Sequence, residues 1–238
     1  MTEFAKVLLV AIFFSPVFAV ATEDVGDSLR MDLHRLTEKT HRQTVSYNNA
    51  RKFIIGYLHT EPSTNGNYYV IRDVYCQDEH MTRGPREGAS GMNVEHTWPQ
   101  SHFFGGATQL RMKSDLHHLF PTKTRINAER GNLKFGPING RKMPISCEAS
   151  TKGEGVDGSP RFEPPDAHKG NVARALFYFA VRYGGSIDTD EEAALREWNH
   201  FDPVDEAEMK RNDEIERLQG NRNPFIDHPE YADSIPNF

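Results

Sequence analysis

A carboxylate and an imidazole stand side by side at Glu95 and His96, inside the run Asn93-Val94-Glu95-His96-Thr97-Trp98-Pro99-Gln100-Ser101. Two further polar runs follow: Ser114-Asp115-Leu116-His117-His118-Leu119-Phe120-Pro121, then Thr122 to Asn132, which carries Asn127 and Arg130. A hard divalent cation such as Mg²⁺ takes oxygen ligands and keeps positions for water and phosphate. Glu95 and the amide oxygen of Asn127 can give two such ligands. A neutral His96 beside them can take a proton from an attacking water, because an imidazole titrates near physiological pH. A cation would neutralise the charge of the transition state and of the leaving oxygen. Such a set suits phosphodiester hydrolysis. The plainer reading of the same three residues is a hydrogen-bonded core cluster.

Other chemistries lose ground on spacing. A zinc protease shows HExxH on a helix; here the order is Glu-His, and Pro99 prevents a continuing helix. There is no GxSxG nucleophile turn, no GxxxxGK[ST] phosphate loop and no CxxC pair. Cys76 and Cys147 are the only cysteines, and in an exported protein they can pair. His102 reads as a loop residue and Trp98 as packing beneath a hairpin. Asp115 reads as structural, or as orienting a neighbouring His. His117 and His118, adjacent on a strand, would face opposite ways, one near the cation and one structural.

The elements that must hold these residues read as strand, loop, strand, helix. Neighbouring side chains on a strand point to opposite faces, so Glu95 and His96 share a site only where the strand ends or bends; Pro99 marks such a bend. Gln100 to Lys113 is a polar, glycine-containing loop, and Asp115 to Phe120 returns as the second strand. Thr122 then caps a short helix containing Asn127. Around this lie helices: one with Leu29, Leu33 and Leu36, another over Tyr47 to Leu58, and a strand over Tyr68 to Tyr75. Lys152 to Pro160 reads as a loop. Asp166 caps a helix whose Val172, Ala175, Leu176, Phe179, Ala180 and Tyr183 form one buried face, stopped at Gly184-Gly185. Thr189 with Glu192 forms a capping box, and Asp202-Pro203 starts a last helix that ends at Gly220.

The ordered runs N-x-E-H-T-W-P-Q-S, S-D-L-H-H-L-F-P-T and N-x-x-R-G-N-x-x-F-G resemble the endonuclease I family of bacterial extracellular and periplasmic nucleases. The C-terminal half is similar too, at Lys169-Gly170-Asn171-Val172-Ala173-Arg174, Asp202-Pro203-Val204-Asp205 and Gln219-Gly220-Asn221-Arg222-Asn223-Pro224-Phe225. The likeness runs from about Tyr47 to Pro229. It implies an α+β fold with a ββα-metal (His-Me finger) core in a mostly helical single domain. His96 takes the general-base position, and Glu95 and Asn127 take the metal-ligand positions. It implies cleavage of DNA, and often RNA, with little sequence preference, leaving 5′-phosphate and 3′-hydroxyl ends. One divalent cation is implied, Mg²⁺ first, with Mn²⁺ or Ca²⁺ as alternatives. Family members hold the scissile phosphate with an arginine near the loop, for which Arg111 and Arg130 are the candidates; His117, His118 and Asp115 are candidates for a supporting shell.

The 238-residue chain is 37% hydrophobic and carries a net charge of −6, an ordinary globular composition. Basic residues gather in the middle, at Arg111, Lys113, Lys123, Arg125, Arg130, Lys134, Arg141 and Lys142, opposed in sequence only by Asp115 and Glu129. Acids gather from Asp188 to Glu216. Residues 1–21 read as a cleaved signal peptide: an apolar run from Val7 to Val20, short of a span and holding Pro16, then a small-x-small site at Ala19-Val20-Ala21. The expected product is one mature domain, 22–238, exported to the periplasm or medium, monomeric and without stable membrane association. Two alternatives remain at this point: a metal-dependent hydrolase of another phosphoester, and a catalytically silent nucleic-acid-binding protein.

Overall fold

Helix α1 (Val17–Thr40) leads the part of the chain that the computed structural model describes, which is residues 17–42, 44–64, 66–84 and 90–238. Most of the expected signal peptide therefore lies outside the described residues. Leu33 of α1 is buried and Leu29 packs on the core, but Leu36 is 53% exposed. The buried stripe instead passes through polar residues: Arg30 donates to the Gly185 carbonyl, Thr37 is buried, and His34 bonds the Val181 carbonyl. A pattern read from apolar residues alone is centred one position away.

The expected helix over Tyr47 to Leu58 is present in two parts, α2 (Tyr47–Phe53) and a π-turn at Ile54–Leu58. Ser46 caps α2 by accepting the Asn49 N–H. Strands β1 (Thr60–Pro62), β2 (Tyr69–Arg72) and β3 (Glu79–Thr82) form an antiparallel sheet in that order. The strand expected over Tyr68 to Tyr75 stops at Arg72. There the Asp73 carboxylate accepts the N–H groups of Tyr75 and Cys76, and Gln77 takes a left-handed φ of 60°. This side-chain-to-backbone turn competes successfully with the sheet.

Strand β4 (Met92–His96) pairs antiparallel with β5 (Leu119–Lys123), in a register that sets Glu95 opposite Phe120 and His96 opposite Leu119. The connection holds 3₁₀ turns at Gln100–His102 and Gly106–Thr108, helix α3 (Gln109–Ser114) and a third 3₁₀ turn at Leu116–His118. The second strand thus begins four residues later than expected, because Asp115 caps the 3₁₀ turn by accepting the His117 N–H. Helix α4 (Thr124–Arg130) follows β5 directly. Thr122 lies inside the strand and donates to Asp73 rather than capping the helix.

Strands β6 (Lys134–Phe135), β7 (Lys142–Met143), β8 (Thr151–Glu154) and β9 (Pro160–Glu163) form a sheet of order β6-β9-β8-β7. The stretch expected as a loop, Lys152 to Pro160, is the β8–β9 hairpin. Gly153 belongs there because a side chain would collide with the Arg141 carbonyl and Ile138.

Helix α5 (Asp166–Tyr183) is buried on every side from Val172 to Arg182, not on one face. It is the centre of the main core, with Phe177 stacked on Phe238 and Phe179 on Trp98. Each such ring adds about 2–3 kcal/mol by burial. Gly184 ends α5 in the left-handed region at φ 73°. Helices α6 (Thr189–Phe201) and α7 (Glu206–Gln219) are capped by Asp188 and Asp205, one residue before and three residues after the expected starts. Short helices α8 (Pro224–Asp227) and α9 (Tyr231–Ser234) close the chain. A smaller core of Ile54, Ile71, Val94, Leu116, Leu119 and Ile215 lies beneath the β4–β5 hairpin. A disulfide joins Cys76 to Cys147 across 5.5 Å between Cα atoms.

Candidate active site

His96 is the last residue of β4 and is 5% exposed. Its Nε2 lies 3.0 Å from the Lys113 carbonyl oxygen at the end of α3. A carbonyl only accepts, so Nε2 carries the ring hydrogen and Nδ1 keeps a lone pair. The Gln100 amide donates to that lone pair at 3.3 Å. Tyr47, Phe103 and His118 surround the ring, with centroids at 5.5, 6.0 and 5.4 Å. Burial, then the neighbouring His118, brings the His96 pKa down to about 3, so the ring is neutral at physiological pH.

Glu95 is 1% exposed. Its Oε1 accepts the Tyr75 hydroxyl at 2.9 Å and lies 2.7 Å from Arg130 Nη1. Burial raises the Glu95 pKa, while Arg130 and Tyr75 pull it back. Arg130 is 2% exposed and also donates to the carbonyls of His96 (3.1 Å) and Thr97 (2.7 Å), with its guanidinium 4.4 Å from the Phe135 ring centroid. One turn earlier on α4, Asn127 Nδ2 donates to the Val94 carbonyl at 3.2 Å. Glu95 and Asn127 therefore lie on the two sides of one seam between β4 and α4. Among the described residues no group of three or more His, Cys, Asp or Glu side chains gathers as a metal cluster. The donor set that this seam offers is one carboxylate and one amide. The contacts above use Glu95 Oε1 and Asn127 Nδ2, leaving Glu95 Oε2 and Asn127 Oδ1. Two oxygens of this kind fit a hard cation that keeps most of its water and do not fit a soft one.

The other candidates fall outside that seam. His118 Nε2 donates to the Met112 carbonyl at 2.7 Å, and His117 Nε2 to the Asn221 carbonyl at 3.0 Å. Burial lowers both pKa values to about 4. They sit in the 3₁₀ turn rather than on a strand; His118 faces His96, whereas His117 packs on Tyr178 at 4.6 Å. Asp115 accepts from Tyr178, Tyr183 and Gln219, each at 2.8 Å. Burial opposes its charge, but His41, His117 and His118 hold its carboxyl well below the usual range. Arg111 is half-buried on α3 and reaches Thr44 at 3.3 Å. Trp98 packs in the core and His102 is exposed.

The basic middle is less basic once folded. Lys123 pairs with Asp78, Arg125 with Glu129, Arg130 with Glu95, Lys134 with Asp188 and Arg141 with Glu154. Among the described residues, Arg111, Lys113 and Lys142 keep no acidic partner. Tyr75, Gln100 and the Lys113 carbonyl are the parts of the site that the sequence reading passed over. Tyr75 lies 20 residues before its partner and on another element, so local spacing carries no sign of it.

Comparison with known proteins identifies the family. Residues 25–230 match the family model for Endonuclease I. An extracellular ribonuclease of Bacillus subtilis (strain 168) is 36% identical over 233 residues, covering 88% of this chain and 74% of the relative. An extracellular deoxyribonuclease of Aeromonas hydrophila is 34% identical over 120 residues, covering 49% of this chain and 50% of the relative. Endonuclease-1 of Buchnera aphidicola subsp. Baizongia pistaciae (strain Bp) is 29% identical over 121 residues, 49% and 47% of the two chains. The chain belongs to the endonuclease I family.

Proposed function

We propose that this protein is an exported endonuclease that hydrolyses phosphodiester bonds in DNA and RNA with little sequence preference. The observation that carries this reading is the tautomer of His96: a buried ring whose Nε2 hydrogen is committed to a main-chain carbonyl. That leaves Nδ1 as the proton acceptor. Nδ1 takes a proton from water, the water oxygen bonds to phosphorus, the bond from phosphorus to the 3′ oxygen breaks, and that oxygen takes a proton from solvent. The ends are a 5′-phosphate and a 3′-hydroxyl. Gln100 covers Nδ1 through a long contact, from an exposed position, and yields to the water. Glu95 and Asn127 would hold one divalent cation, Mg²⁺ in the first instance and Mn²⁺ or Ca²⁺ otherwise. When bound, it supplies charge neutralisation at the phosphate and the leaving oxygen.

Arg130 is committed to Glu95 and two carbonyls, so the phosphate contact passes to Arg111. His118 packs the base, while His117 and Asp115 tie the turn beneath it to the helices. Relatives named for ribonuclease and for deoxyribonuclease activity support both substrates, and their extracellular names support export. No helix among the described residues is long and apolar enough to cross a membrane. We take residues 1–21 as a removable leader and 22–238 as a monomeric mature enzyme.

The test is supercoiled plasmid and a structured RNA, each with EDTA or Mg²⁺, for the wild type and His96→Ala. Cleavage should need the metal, leave 5′-phosphates, and fall about 10²- to 10⁴-fold in the variant. Equal cleavage by folded His96→Ala rejects the base; equal cleavage in EDTA rejects the metal.

A further inference from the structure

Glu95 is almost fully enclosed, and one of its two anchors has no assigned role. Tyr75 is fully buried and donates its hydroxyl to Glu95 Oε1 at 2.9 Å. Its own position is tightly determined. Its N–H is held by Asp73 Oδ1 at 2.8 Å, its carbonyl accepts the Ser150 hydroxyl at 2.7 Å, and its ring lies 4.8 Å from Phe162. The next residue is tethered through the Cys76–Cys147 disulfide. Asp73 itself takes the Thr122 hydroxyl and the Lys123 N–H of β5, and Val74 donates to the Pro121 carbonyl. The turn that carries Tyr75 is thus fastened along the hairpin that carries Glu95.

We infer that Tyr75 is a positioning residue for cation binding: its phenol and Arg130 together fix Glu95 Oε1, which leaves Oε2 as the oxygen for the metal. This rests on the reading of Glu95 as a ligand. Hydrogen-bond partners of a ligand set its orientation and change metal affinity although they never touch the metal. Arg130 alone would hold the carboxylate at one point, about which it can still turn; a second donor on the same oxygen, from a different element, removes that freedom. Tyr75→Phe keeps the ring in its packing and deletes only the donor.

The experiment titrates Mn²⁺ alone into the full chain, without nucleic acid, and counts free Mn²⁺ by electron paramagnetic resonance at a temperature where every variant is folded. Tyr75→Phe should bind Mn²⁺ about 10-fold more weakly than the wild type, with a melting temperature near the wild-type value. Glu95→Gln tests the ligand itself and should bind more weakly still. Phe162→Leu removes ring packing from Tyr75 but leaves the hydroxyl, so it should lower the melting temperature without shifting the Mn²⁺ affinity. Wild-type affinity in Tyr75→Phe, beside a weakened Glu95→Gln, overturns the inference and leaves the ligand reading standing. Wild-type affinity in Glu95→Gln overturns both. Equal weakening in Phe162→Leu assigns the effect to packing and overturns the positioning role.

Discussion

Two arginines that look interchangeable in the sequence do different work in the fold. Arg130 is 2% exposed and bonds Glu95 together with the carbonyls of His96 and Thr97. Lysine cannot reproduce that fork. Arg130→Lys should therefore lower the melting temperature by several degrees and weaken the response to Mg²⁺. Arg111 reaches Thr44 through one long hydrogen bond and is half-buried, so Arg111→Ala should melt as the wild type does. It should instead raise KM, and the slope of log affinity against log salt should shrink by about 0.9, the value of one phosphate contact. Melting curves and a salt series on a short duplex decide between them. An unchanged salt slope in Arg111→Ala removes the phosphate role from that residue. At this scale the sequence names Glu95, His96 and Asn127 by motif order, but not which oxygen or ring nitrogen is free. Those depend on partners far along the chain, Tyr75 and the Lys113 carbonyl, and a main-chain acceptor leaves no mark on residue type.

The elements around the hairpin explain why the C-terminal motifs are there. Gln219 donates to Asp115 and accepts the Leu116 N–H, Asn221 accepts from His117 Nε2, and Asn221 donates to Tyr178. The turn that ends α7 thereby locks the 3₁₀ turn ahead of β5. Arg174 of α5 in turn binds Glu208 of α7 through two bonds of 2.8 and 2.6 Å, and also Asn199 and the Asp202 carbonyl. The C-terminal helices thus fasten the β4–β5 hairpin directly. Their ends are legible from capping residues to within three residues, whereas α5 reads as one-faced and is buried all round. Its flanks include the buried Arg174 and Arg182, and a period count scores a buried arginine as solvent-facing. Gly170 tests this clasp. A side chain there would overlap the Asp202 carbonyl, and its N–H donates to the Asp202 side chain at 2.8 Å. Alanine gains about 1 kcal/mol of helix propensity over glycine, but displacing the α6–α7 connection costs about 1–3 kcal/mol or more. Gly170→Ala should melt below the wild type by about 2–8 °C; a higher melting temperature would show that the loop gives way freely.

On the scale of the whole molecule, charge and protonation are decided by what folding brings together. Five of the eight basic residues of the middle segment find acidic partners, four of them outside that segment, so a sequence count overstates the basic surface. Histidines show the same effect on stability. Burial is the first cause in bringing His96 and His168 down to about 3, and His117 and His118 down to about 4. In the unfolded chain each titrates near 6.5. Above that pH both states are neutral at these rings and the stability is intact. Between about 6.5 and 4 the unfolded chain binds protons that the folded chain excludes, so stability falls as pH falls. With four such rings the slope approaches about 5 kcal/mol per pH unit, so two units remove about 10 kcal/mol, comparable with a typical total of about 5–15 kcal/mol. Asp115, held low, loses its contribution only below the ordinary carboxylate range. The urea midpoint, followed by Trp98 and Trp198 fluorescence, should therefore drop steeply from pH 6.5, and the protein should unfold near about pH 4–5. Because His96 stays neutral down to about 3, the acid limb of activity should follow that unfolding curve, not a protonation of the folded enzyme. A urea midpoint flat between pH 7 and 4.5 would mean that these histidines are not buried neutral. An activity loss near pH 6 in protein that remains folded would instead put the His96 pKa close to its ordinary value in the working enzyme.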